Sequence, residues 1–111
     1  CAYAKEKGAS LEVWQSNHEG AIIDKIQSIY NSDTDAVIIN PGAYTHYSYA
    51  IADAIKSVDI PFVEVHFSDI NSREDFRKIS VTKPSCAAQI CGMGEDGYKK
   101  ALDMIASGEV K

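Results

Sequence analysis

"INPGAYTHYSYAIADAI", running from Ile39 to Ile55, decides the fold. An apolar run reaches it through Ile38 and Ile39 and stops at Asn40-Pro41-Gly42, a combination that punctuates chains. A small polar knot follows, ending in His46, and then apolar residues recur at helical spacing through Ile51 and Ile55. The pattern is a strand, a tight turn and a helix, expected from about Thr45 to Ser57. The turn carries more hydrogen-bonding side chains than a plain connection needs.

The same unit repeats on either side. "GASLEVWQ" (Gly8–Gln15) alternates as a strand does, with Leu11 and Val13 on one face. Ser16 or Asn17 is suited to cap a helix, and Glu19 falls in its first turn, where the helix dipole favours an acid. That helix places Ile22, Ile23, Ile26, Ile29 and Tyr30 on one stripe, and "NSDTD" breaks it. "AVIIN" (Ala36–Asn40) reads as a strand covered on both faces. Pro61 ends the helix that follows. "FVEVHF" (Phe62–Phe67) is a strand, "NSREDFRKIS" a short helix capped by Asn71 or Ser72, and "SCAAQICGMG" a strand broken by Gly92 and Gly94. A last helix spans about Glu95 to Ala106. Strands alternating with helices at these lengths mean one α/β domain over residues 1–111, a doubly wound parallel sheet. Ligands of such sheets sit beyond the carboxyl ends of the strands.

Bulk properties exclude several classes of function. The apolar content is 45% and the charged content 24%, ordinary for a globular chain. No apolar run approaches the ~20 residues of a membrane span, and a net charge of −5 argues against a nucleic-acid surface. Three cysteines without a CxxC spacing point to a reducing cytoplasm. Cys86 and Cys91, expected on one strand and facing opposite sides, are poorly placed to pair.

The strand ends carry the candidates. Glu64 and His66 are two apart on one strand, so their side chains share a face. A carboxylate beside an imidazole favours the protonated ring and fixes its tautomer, which is how a general acid is made. Asn40 suits a ligand contact and equally the turn before Pro41. Ser68 suits a ligand or local backbone. Arg73 and Arg77, with Glu74 and Asp75, also suit a solvated face. "GMGEDG" lacks the full fingerprint of a phosphate loop, and the histidines share no metal-ligand spacing.

Four segments, "QSNHEGAIIDKI", "IINPGAYTHYSYAIADAI", "VEVHFSDINSREDFRKIS" and "CGMGEDGYKKAL", resemble in order and spacing the type II 3-dehydroquinate dehydratases. The resemblance covers nearly the whole chain from Leu11 onward. It implies a flavodoxin-like fold, cytoplasmic, assembled as trimers that group into a dodecamer. It also implies a lyase of the shikimate pathway, converting 3-dehydroquinate to 3-dehydroshikimate by trans elimination of water, with no cofactor and no metal. By motif, His66 is the general acid and Glu64 orients it. Asn40 and His46 hold substrate hydroxyls, and Gly42 lets backbone approach the ligand. Ser68 and the Phe67 amide bind the carboxylate, Arg77 clamps a ring hydroxyl, and Asp53 reaches a neighbouring subunit's site. Tyr47 departs from the Ser or Thr usual after this His.

The resemblance further implies that the family's central first strand, and the lid bearing the base Tyr and its activating Arg, are missing from these 111 residues. Tyr3, Tyr44, Tyr47 and Tyr49 lie on the wrong segments to replace that base. Four strands are therefore expected, with Leu11–Trp14 pairing directly against Val37–Asn40, and the chain alone is expected to be inactive. The alternative is a non-catalytic relative that keeps the fold as a polyol-binding or assembly module.

Overall fold

The apolar runs and amphipathic stretches resolve in chain order into α1 (Ala2–Glu6), α2 (Glu19–Ser28), β1 (Val37–Ile39), α3 (Tyr49–Ser57), β2 (Phe62–His66), β3 (Ala88–Cys91) and α4 (Asp96–Ala106). Single 3₁₀ turns lie at Gly42–His46 and Lys83–Ser85. The structure, a computed structural model, describes residues 2–30, 32–69 and 78–110. Arg73, Arg77 and the short helix expected at "NSREDFRKIS" fall outside them, apart from Lys78 to Ser80.

Among the described residues the sheet has three parallel strands in the order β1-β2-β3. Every residue of central β2 is buried. Its alternation divides the core in two. Phe62 packs with Ile26, Ile51, Ala54, Ile55 and Val58 under α2 and α3. Val63 and Val65 pack on the other face with Ile90 and Ala101, backed by Tyr98, Met104 and Ile105 of α4. Helices on both faces of a parallel sheet are the expected α/β layering.

Several details differ from expectation. The alternating stretch at Leu11–Gln15 forms no strand, so three strands are seen rather than four, and the pairing between the Leu11 and Ile38 segments is not made. Val13 is 81% exposed. Glu12 instead reaches Lys25 on α2, an exposed ion pair, and a strand has no stability without a ladder partner. Accordingly β1 is only half-buried rather than covered on both faces. Tyr30 lies beyond the end of α2 and is exposed. The helix expected from Thr45 is interrupted: a 3₁₀ turn ends at His46, and α3 begins afresh at Tyr49. Its N-cap is Ser48, whose Oγ accepts from Ile51 N–H at 3.1 Å and donates to Glu19 of α2.

Candidate active site

The carboxyl ends of the three strands place Asn40, His66 and Gly92 along one edge of the sheet. Phe62, Glu64 and His66 share the face of β2 beneath α3. Phe62 fills core there, whereas Glu64 and His66 are polar and almost fully enclosed, at 0% and 6% exposure. A buried carboxylate must be hydrogen-bonded or it neutralises.

Glu64 has four donors. His66 Nε2 donates to Oε2 at 2.8 Å, Gln89 Nε2 to Oε2 at 2.6 Å and Ser80 Oγ to Oε2 at 2.9 Å, while Thr82 Oγ1 donates to Oε1. The register explains Gln89, which pairs directly with Glu64 across β2 and β3 and so shares its face. Burial is the strongest single influence on the Glu64 carboxyl and pushes it up. The donations from His66, Thr82, Gln89 and Ser80 together outweigh it and hold the group below the usual carboxylate value. Glu64 is thus a fixed buried anion, and His66 stands against it with Nε2 committed. The ring's Nδ1 is the atom left to exchange a proton.

The segment 79–82 that supplies Ser80 and Thr82 also reaches the Asn40–His46 turn. Val81 N–H donates to Thr45 C=O at 2.8 Å, and His46 Nδ1 lies 2.7 Å from Ile79 C=O. A carbonyl only accepts, so His46 carries a proton on Nδ1. The Asn40 side chain spans its own turn, with Oδ1 accepting from Gly42 N–H at 3.0 Å and Nδ2 donating to Tyr98 Oη at 3.2 Å. Gly42 has φ +61°, and an added Cβ would meet nothing within 4 Å. Glycine is therefore needed there for its backbone conformation.

The expected site residues are thus distributed unevenly. Glu64 and His66 are in contact, and Asn40, Gly42 and His46 share one turn bonded to the segment that holds Glu64. Phe67 and half-buried Ser68 follow His66 directly, the Phe67 ring exposed and set edge-on to Tyr98. Asp53 faces solvent on α3, and Arg77 lies outside the described residues. Sequence reasoning missed Ser80, Thr82, Gln89 and Tyr98. Only Gln89 had a signal, since aligning the two apolar strands sets it beside Glu64. Among the described residues no group of three His, Cys, Asp or Glu side chains is placed to hold a metal ion, and no helix is long and apolar enough to cross a membrane. The Cys86 thiol, half-buried and close to the Glu64 charge, is pushed up to about 12, mainly by burial.

Known proteins resemble this chain in sequence and fold. A family model described as Dehydroquinase class II matches residues 1–106. The chain is 57% identical over 104 residues to the 3-dehydroquinate dehydratase of Lachnoclostridium phytofermentans, a match covering 94% of this chain and 72% of that protein. It is 57% identical over 109 residues to the enzyme of the same name from Clostridium beijerinckii, covering 95% and 75%. The crystal structure of a type II dehydroquinase from Butyrivibrio crossotus superposes with a TM-score of 0.91 at 59% identity, over 94% of this chain and 72% of that one.

Proposed function

The chain belongs to the class II dehydroquinase family, and on that premise we propose that its buried Glu64–His66 pair is the acid half of a 3-dehydroquinate dehydratase site. The observation that supports this reading is the bond from His66 Nε2 to a carboxylate held anionic by Ser80, Thr82 and Gln89. A fold could bury this strand face with apolar residues. A fully satisfied anion beside an imidazole has a purpose in proton transfer.

A base removes the proton beside the ketone of 3-dehydroquinate, leaving an enolate. The enolate's electron pair forms the new double bond and expels the hydroxyl, which takes a proton from His66 Nδ1 and departs as water. Glu64 holds the proton on Nε2 and keeps the ring oriented. Asn40 and His46 hold substrate hydroxyls. Ser68 and the Phe67 amide take the substrate carboxylate, Arg77 clamps a ring hydroxyl, and Asp53 faces the site of a neighbouring copy in a trimer-based assembly. The chemistry of the reaction asks for no cofactor, and the compartment that suits it is the cytoplasm.

The test is growth of conjugated-enone absorbance when the native protein meets 3-dehydroquinate, with calorimetry of the same ligand. Turnover that collapses in His66→Ala while binding persists supports the reading. Enone formation that His66→Ala leaves unchanged overturns it, and binding without enone formation in a native protein that carries the base Tyr and its Arg favours a polyol-binding module.

A further inference from the structure

We propose that Tyr98 is a positioning residue of this site, its phenol aiming the Asn40 carboxamide at a ligand hydroxyl. The inference rests on the dehydratase reading above, in which Asn40 contacts substrate.

A carboxamide at the end of a strand can rotate and interchange its oxygen and nitrogen, presenting an acceptor at one moment and a donor at the next. Asn40 is pinned at both ends. Its Oδ1 accepts from Gly42 N–H at 3.0 Å, and its Nδ2 donates to Tyr98 Oη at 3.2 Å. Gly42 alone fixes the oxygen through a local Asx turn that any Asn can make. The bond to Tyr98 fixes the nitrogen, and with it the direction of the second Nδ2 hydrogen.

Tyr98 reaches Asn40 because of what lies beside it on α4. An added Cβ at neighbouring Gly97 would come within 3.1 Å of Val65 Cγ1. The missing side chain lets the first turn of α4 settle on the sheet and brings the following residue over the strand ends. The Tyr98 ring is then braced edge-on by Phe67, with centroids 5.6 Å apart and planes at 72°. Phe67 directly follows His66. One phenol from α4 therefore joins the residue after β1 to the residue after β2, the two places where the site is built.

The decisive substitution is Tyr98→Phe, which keeps the ring and its contact with Phe67 and removes only the oxygen. In the native protein the expected result is a rise in KM for 3-dehydroquinate of about 3- to 10-fold, the loss of one ordinary hydrogen bond. The change in kcat should be smaller and the melting temperature nearly unaltered. The same change in an Asn40→Ala background should do nothing further, because the phenol acts through Asn40. Equal KM in wild type and Tyr98→Phe, or effects that simply add, overturn the proposal. A purely structural role would lower the melting temperature in both backgrounds alike. If the unmodified protein neither binds nor converts 3-dehydroquinate, it is the dehydratase reading that fails. The ¹⁵N cross-peaks of the Asn40 side chain then decide: a shift in Tyr98→Phe supports the positioning role, and unmoved peaks overturn it.

Discussion

His66 Nε2 lies 2.8 Å from Glu64 Oε2, two residues away on the same face of β2, and both side chains are nearly closed off from solvent. The contact is local in sequence, yet it is held in place by groups that are not. Thr82 and Ser80 come from the segment before β3, and Gln89 from β3 itself.

Thr82→Val should expose that dependence through pH. Glu64 titrates below its ordinary value in the folded protein. Its donors therefore contribute stability above the unfolded carboxylate value of about 4.3, and the contribution is lost as pH falls through the lower folded value. At pH 7 the variant should lose about 1.5–3 kcal/mol in urea denaturation, the range for a hydrogen bond to a charged group. As pH falls below the unfolded value of about 4.3 the difference from wild type should shrink. An equal loss at neutral and acid pH would show that Thr82 does not support the carboxylate charge.

His66→Ala should lower dehydration of 3-dehydroquinate by about 100- to 10,000-fold, the usual contribution of a general acid. Glu64→Gln should fall in the same direction by less, since the imidazole remains while its orientation weakens. Enone absorbance measures both. Wild-type turnover in His66→Ala would remove this residue from the chemistry.

Ser48→Ala should destabilise the fold by about 0.5–2 kcal/mol. The hydroxyl caps α3 through Ile51 N–H and also joins it to Glu19 of α2, and it is 2% exposed. Thermal unfolding followed by circular dichroism gives the value. No change in the melting midpoint would mean that another group satisfies the Ile51 amide.

Gly97→Ala tests the seam between α4 and the sheet. In an open helix the change stabilises by about 0.5–1 kcal/mol. Here the new Cβ meets Val65 Cγ1 at 3.1 Å and Ile90 Cγ2 at 3.5 Å, in a core where Val65 is completely buried. Overpacking a close-packed interior costs about 1–3 kcal/mol, so a net loss is expected in chemical denaturation. A gain would show that the seam has room to spare.

Much of the architecture was legible because it depends on short-range pattern. "FVEVHF" alternates with period two, which put Glu64 and His66 on one face before any partner was known. Ile51, Ala54 and Ile55 recur at helical spacing, and they pack in the core cluster beneath α3. Leu11–Gln15 carried an equally good alternation and formed no strand. Alternation reports which side chains could share a face, whereas a strand exists only where a neighbour completes its ladder.

By itself the sequence determined the α/β alternation, the positions of the turns, the family, and the adjacency of a carboxylate and an imidazole on one strand. All are properties of residues within a few positions of each other or of motifs in fixed order. Only the tertiary structure decided that Glu64 would be a satisfied anion and that Asn40 would have a fixed orientation. Those outcomes need Ser80, Thr82 and Gln89, which are 16, 18 and 25 residues from Glu64, and Tyr98, which is 58 residues from Asn40. A hydroxyl or amide of this kind reads in the chain as an ordinary surface group. It becomes a donor to a buried charge, or a brace for a site residue, only when strand register and helix packing bring it within 3 Å or so of its partner.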